Sequence, residues 1–158
     1  MALLTPEECI VQCSADPADA PLLEKLLASA ESAIAGYLNR AFFATAAELV
    51  AAQDALPAAA GEAQDAYDAA MAGAGAINNT AARKMAVDLA EERLKEAKIG
   101  FHRVLYGMVA TPRIEAAVRL TLGNLYANRE EVVIGASAIR LPQGISELVR
   151  ADRREMMP

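Results

Sequence analysis

The chain has 158 residues, of which 54% are hydrophobic and only 4% aromatic, and its formal net charge is −6. A sequence pI near 4.8 argues against a protein whose main task is to grip nucleic acid, because that task depends on Lys and Arg neutralising phosphates. No apolar run approaches the roughly 20 residues of a bilayer-spanning helix, and the first residues lack a basic region with an apolar core. We therefore expect a single domain over residues 1–158, soluble and not exported, with no membrane partner.

Alanine accounts for much of the hydrophobic fraction. The sequence contains 37 Ala, and 21 of them fall in residues 41–90. Alanine has the highest intrinsic helix propensity, but its methyl group buries little area. The composition therefore predicts helices that pack closely or lean on a neighbour.

The first third of the chain predicts two helices joined by a turn. Thr5 and Glu8 form a capping box with proline at the first helical position, which predicts a helix over 6–13. Residues 14–21 hold two Pro and two Asp and predict a turn. After this turn apolar side chains recur at helical spacing, which predicts a second helix to about Arg40.

Residues 45–108 predict an inserted helical hairpin. Thr45 begins an Ala-rich limb that Pro57 interrupts or restarts. The helical pattern of this limb continues to about Ala72, and residues 73–79, which include two glycines, break it. Thr80 is predicted to cap the second, long limb. The apolar positions of that limb are spaced alternately three and four residues apart, as in a coiled-coil seam, and comprise Val87, Ala90, Leu94, Ala97, Phe101, Val104 and Met108.

The last third predicts a central helix, a β-hairpin and a short final helix. The helix starting at Pro112 is apolar around most of its circumference and should be buried; its apolar residues are Ile114, Ala117, Val118, Leu120, Leu122, Leu125 and Tyr126. Two β-prone runs in 132–141 surround a Gly-containing turn and predict a small hairpin. Residues 144–155 predict a final helix with Ile145, Leu148 and Val149 as its apolar stripe. The predicted fold class is all-α: a small helical domain with a long helical-hairpin insertion and a minor C-terminal β-hairpin.

Residues with catalytic or metal-binding chemistry are few. His102 is the single histidine and is interpreted as a solvated surface residue, while Cys9 and Cys13 are interpreted as free thiols buried as small hydrophobes. The acidic run at residues 91–96 is typical of a solvated helix face, on which Glu91 and Lys95 should pair. The sequence predicts no catalytic residue, no cofactor and no metal site, so we expect no enzyme. An enzyme of unknown type that uses Cys9 or His102 is the weakest alternative.

Binding surfaces are better candidates. The apolar hairpin at 132–141 can add its edge to a partner or fold back on its own helices, and the sequence leaves both alternatives open. A segment rich in both basic and acidic residues follows at 150–155. The predicted partner-interface residues are Val132, Val133, Ile134, Ile139, Arg140, Leu141, Arg150, Arg153 and Arg154.

Two stretches resemble the head-to-tail connector (adaptor) proteins of long-tailed bacteriophages. The first stretch runs from Thr5-Pro6-Glu7-Glu8 through an Asp-rich turn to Tyr37-Leu38-Asn39-Arg40. The second runs from a helix that opens with Pro112 through Tyr126-Ala127-Asn128-Arg129-Glu130 to Leu141-Pro142-Gln143-Gly144-Ile145. The resemblance covers about residues 3–40 and 112–150. It does not extend to the insertion, and Leu125 stands where the family commonly has Trp.

The resemblance implies a structural virion protein made in the host bacterial cytoplasm and located in the neck, between capsid and tail. Such proteins form a ring, typically of twelve subunits, that joins the portal to the stopper or tail while DNA passes through the channel without specific binding. The segment from Arg140 onward is expected to dock on the portal, because guanidinium groups suit acidic surfaces. The alternative is a DNA-packaging regulator of the small-terminase type that binds DNA.

Overall fold

A computed structural model describes residues 3–128 and 143–154, which fold as two compact units. One unit is formed by the chain up to Ala46 and from Met108 onward, and we call it the terminal unit. The other is Ala47–Gly107, which we call the insertion unit, and its bounds lie close to the predicted insertion at 45–108. The fold is all-α with a minor β content.

The terminal unit is built on two long helices, α2 and α6. Helix α1 (Pro6–Cys13) and a 3-10 turn (Pro17–Asp19) precede α2 (Ala20–Leu38), and α6 (Pro112–Ala127) is followed by α7 (Gln143–Val149) and a second 3-10 turn (Arg150–Asp152). The Tyr126 hydroxyl, at the end of α6, donates to Oδ2 of Asp19, just before α2 begins (2.6 Å). At the other end, the Arg113 side chain bonds to Asp152, and the Arg154 amide donates to the Leu38 carbonyl. Helices α2 and α6 therefore run antiparallel.

The core of the terminal unit lies where α2 and α6 face each other. Helix α2 contributes side chains at the predicted helical spacing, and α1, α6 and α7 close the core around them. The buried apolar residues are Leu4, Cys9, Leu23, Leu27, Ala30, Ile34, Leu38, Ile114, Ala117, Val118, Leu122, Leu125, Ile145 and Val149. Thr121 is buried among them, and its hydroxyl donates to the Ala117 carbonyl (2.8 Å), so this buried polar group keeps a partner.

Local signals set the ends of α1 and α2. The capping box predicted at Thr5 and Glu8 is confirmed in both directions. The Asp16 side chain accepts from the Ala18 amide in the turn before α2. Ser14 and Asn39 take left-handed conformations, with φ of 48° and 54°, at the ends of the two helices. A left-handed residue of this kind commonly ends a helix.

Two predictions for the terminal unit are wrong. Leu120 is 52% exposed, because α6 has one solvent-facing line of residues instead of an apolar surface nearly all round. The last helix ends at Val149 instead of reaching residue 155, since Arg150–Asp152 tightens into a 3-10 turn and Arg153 is extended. Its predicted anchors Ile145 and Val149 are confirmed as buried.

The insertion unit consists mainly of an antiparallel helical pair. Helix α3 (Ala46–Asp54) is followed by α4 (Leu56–Gly75), which packs along α5 (Thr80–Leu105). The six seam positions within α5 are all buried or half-buried, so the predicted seam is confirmed. Ala90 is buried, and the other five are half-buried. Because many of the residues between α4 and α5 are alanines, this helix pair packs while burying few large side chains.

Three details of the insertion unit differ from the prediction. The cap of α5 is Asn79, whose side chain accepts from the Ala82 amide, and Thr80 is the first helical residue. Met108 lies beyond the end of α5, in a strand. Lys95 bonds to Glu92 (3.1 Å), one turn away on the exposed face, instead of the predicted Glu91.

The minor β content in the described residues is a parallel pair of two-residue strands. Strand β1 (Phe42–Phe43) pairs with β2 (Met108–Val109), on either side of the insertion unit in the sequence. Parallel strands need a long crossover connection, and Ala47–Gly107 supplies it. The predicted antiparallel hairpin at 132–141 lies outside the described residues.

Two leucines of α6 test how the helix divides between core and solvent. We expect Leu122→Ala to lower the free energy of unfolding by about 2–5 kcal/mol, because Leu122 is fully buried and truncation leaves a cavity. The matched control Leu120→Ala should change it by less than about 1 kcal/mol, since half of Leu120 is already exposed. Urea unfolding followed by circular dichroism measures both. Equal losses would contradict the assignment of the two faces.

Candidate functional site

The predicted interface falls into two groups. The hairpin residues Val132, Val133, Ile134, Ile139, Arg140 and Leu141 lie outside the described residues. Arg150, Arg153 and Arg154 are described, and they lie where the chain passes the end of α2.

Two of these three arginines contact the C-terminal end of α2 directly. The guanidinium of Arg153 lies over the Tyr37 ring, 5.0 Å from its centroid, which is a cation–π contact. The backbone of Arg154 is bound twice: its amide donates to the Leu38 carbonyl (2.9 Å), and its carbonyl accepts from Nδ2 of Asn39 (3.1 Å). These bonds complete the C-terminal turn of α2, so the segment has a structural role in addition to any binding role.

Two ion pairs lie beside these contacts. Arg113, at the start of α6, bonds through Nη2 to Oδ1 of Asp152 (3.2 Å), and the Asp152 side chain is only 12% exposed. Arg150 reaches Glu147 at 3.5 Å, but the two side chains are 72% and 62% exposed. An exposed pair of this length contributes little to stability. Arg150 therefore stays accessible to an external carboxylate.

Arg40 adds a fifth cation at this place. Its Nη1 is 3.5 Å from the Met108 sulfur, and its buried Nε has no hydrogen-bond partner among residues 3–128 and 143–154. We call the surface formed by Arg40, Arg113, Arg150, Arg153 and Arg154 the arginine end. It lies at the C-terminal end of α2 and the N-terminal end of α6. The negative end of the α2 dipole favours cations there, whereas the positive end of the α6 dipole opposes them.

The sequence predicts three members of the arginine end as interface residues, but neither Arg40 nor Arg113. Both stand far from residue 150 in the sequence, and neither belongs to a recognisable motif. One usable signal was available: antiparallel packing of the two predicted apolar helices would bring the end of the first beside the start of the second. That inference would have placed Arg40 near Arg113.

The candidate nucleophiles are poorly placed for chemistry. Cys9 and Cys13 are free thiols, Cys9 is buried, and burial raises the pKa of both. A raised pKa lowers the fraction of reactive thiolate at neutral pH. His102 is exposed, as predicted, and its ring lies 6.0 Å from the Tyr106 ring. In the described part of the chain no three His, Cys, Asp or Glu side chains are grouped so that they could hold a metal ion.

One ion pair connects α1 to α6. Arg119 Nη2 lies 2.7 Å from Oε1 of Glu8, and Oε2 of the same carboxylate accepts from the Thr5 amide. The backbone bond from Thr5 and then the Arg119 side chain lower the pKa of Glu8 below its usual 4.5. The carboxylate thus serves as both helix cap and cross-helix link.

The chain matches no protein-family model, no curated protein and no solved structure. Within residues 3–128 and 143–154, no helix has both the length and the apolar character needed to cross a membrane.

Glu8 gives the terminal unit a dependence on pH. Because the folded-state pKa is lowered, its contribution to stability is complete above the unfolded value near 4.5 and is lost as the pH falls through the lower folded value. We expect Glu8→Gln to lower the melting temperature at pH 7 and to have a smaller effect at pH 3. Melting curves across this range test it, with exposed Glu7→Gln as control. An effect of Glu8→Gln that is the same at both pH values would refute the assignment.

Proposed function

We propose that this protein is a ring-forming head-to-tail connector (adaptor) of a long-tailed phage or prophage, which joins the portal to the stopper or tail. In this proposal it is a structural protein of the virion neck and has no enzymatic activity. About twelve copies surround the DNA channel, as the family resemblance implies.

One structural observation supports the proposal. The two stretches that resemble the family, residues 3–40 and 112–150, are far apart in the sequence, yet their described residues belong to the same compact unit. The segment without resemblance forms the other unit, Ala47–Gly107. A family domain that carries an insertion should divide in this way. A chance resemblance of two separate stretches has no reason to follow the boundaries of a unit.

The charge of the chain also suits a channel through which DNA passes. A net charge of −6 disfavours binding to phosphates, so DNA can slide past an acidic lining without being held. A closed ring further needs two different complementary surfaces on each subunit, because its contacts are heterologous.

Binding to the portal protein of the same phage tests the proposal. We expect the chain to co-purify with assembled portal and to add a second ring of density at one end of the portal in electron micrographs. Deleting the last helix would not separate a loss of portal binding from a loss of folding, because Ile145 and Val149 are part of the core. The better control is Leu122→Ala, which should weaken binding only through loss of folded protein. Failure of the folded chain to bind portal would overturn the proposal.

A shortened chain makes the test sharper. We expect the terminal unit to fold and bind portal after Ala47–Gly107 is replaced by a flexible linker of about a dozen residues, the length that joins parallel strands. Circular dichroism and co-purification measure the two properties. A gel shift at near-physiological salt covers the small-terminase alternative: tight binding of duplex DNA together with no binding of portal would favour a packaging regulator.

A further inference from the structure

We infer that the arginine end of one copy docks on the exposed acidic face of α4 of a second copy. The inference depends on the proposed function only in calling the resulting assembly a ring. It also reassigns Arg150, Arg153 and Arg154, which the sequence analysis directs to the portal, to the contact between subunits.

The acidic face of α4 is a single stripe of carboxylates. Glu62, Asp65 and Asp68 are exposed, whereas the residues that pack on α5, such as Tyr67 and Ala74, are half-buried or buried. Counted at 100° per residue, the three acids lie on the side of α4 opposite its packing face, about 4.5 Å apart along the axis. We call these three residues the acidic stripe.

Small residues surround the acidic stripe. Ala58, Gly61, Ala69 and Ala72 are exposed on the same side of α4. A Cβ added to Gly61 would meet nothing within 4 Å, so the space beside the carboxylates is open. Long arginine side chains from another molecule can therefore reach the carboxylates without displacing large side chains.

The acidic stripe has no basic residue in its own part of the sequence. No Lys, Arg or His occurs from residue 41 to residue 82, a segment that contains five acidic residues. Like charges one turn apart on a helix destabilise it by about 0.2–0.5 kcal/mol per pair. The Gln64 amide donates to Asp68 (2.9 Å), but an amide does not neutralise the charge of the carboxylate. A local arrangement that disfavours its own helix marks a surface that gains from a cationic partner.

The arginine end supplies such a partner. Arg113 pairs with Asp152, and Arg150 pairs with Glu147. The Arg153 guanidinium lies over the Tyr37 ring. Arg150 and Arg113 keep 72% and 51% of their side chains exposed. Planar guanidinium groups bind carboxylates in a bidentate manner, which fixes orientation as well as adding energy.

The complementarity is heterologous. The arginine end belongs to the terminal unit, whereas the acidic stripe belongs to the insertion unit. Each copy therefore offers one surface of each kind, and a contact between different surfaces continues from copy to copy until rotation closes it. The partner of the arginine end is a second copy of this chain, because that copy carries the acidic stripe, whose charge is opposite to that of the arginine end.

Self-association measured without portal tests the inference. Sedimentation equilibrium up to about 1 mM protein, at an ionic strength of about 20 mM, detects even weak pairing. We expect the full chain to self-associate and about 0.5 M salt to weaken the association at least tenfold. Arg150→Glu, Arg150→Glu with Arg153→Glu, and the triple change of Glu62, Asp65 and Asp68 to Lys should each weaken it about tenfold or more.

Mixing the variants gives the decisive result. The double arginine variant keeps a native acidic stripe, and the triple lysine variant keeps a native arginine end, so a mixture should form one-to-one pairs that grow no further. Combining all five changes in one chain should restore self-association through reversed charges. Matched controls on α5, Lys95→Glu with Lys98→Glu and the change of Asp88, Glu91 and Glu96 to Lys, alter the net charge equally and should leave association intact.

Several results would overturn the inference. These are a wild-type chain that stays monomeric up to about 1 mM at low salt, a mixture that does not pair, or controls that lose as much association as the interface variants. None of these results bears on portal binding. Conversely, charge-dependent pairing in a chain that never binds portal would preserve the contact and remove the proposed function. Arg150→Glu alone keeps the test valid if changing Arg153 disturbs the fold, since Arg150 is 72% exposed.

Discussion

The mutual burial of α2 and α6 is the interaction on which the rest of the structure depends. Each helix carries a stripe of large apolar side chains, and neither can remove that stripe from water without the other. Residues 39–111 separate them in the sequence, but the entropic cost of closing a loop rises only with the logarithm of its length, by about 0.6 kcal/mol for each doubling. An insertion as long as Ala47–Gly107 is therefore tolerated.

Much of the fold follows from local sequence signals. The capping box at Thr5, the seam of α5 and the interruption at Pro57 all have causes within a few residues, and the structure has each of them. The misjudged features depend on distant parts of the chain. Whether Leu120 is covered depends on which helices pack against α6, and β1 and β2 pair across the insertion unit with no turn signal between them.

The candidate site was predictable only in part for the same reason. Arg150, Arg153 and Arg154 stand close together in the sequence and attract attention as a group, whereas Arg40 and Arg113 join them through tertiary packing. The uneven distribution of charge was visible in the sequence but had no meaning until the faces of α4 were known. The structure thus groups these charged residues into two surfaces of opposite charge, the arginine end and the acidic stripe.

The long separation between α2 and α6 also has a consequence for the order of folding. Helices α4 and α5 are neighbours in sequence and can pair quickly, while the core of the terminal unit must wait for α6. During synthesis, the apolar stripe of α2 with Leu23, Leu27 and Ile34 leaves the ribosome well before its partner exists. The nascent chain therefore passes through a period in which this stripe is open to chaperones, and the insertion lengthens that period.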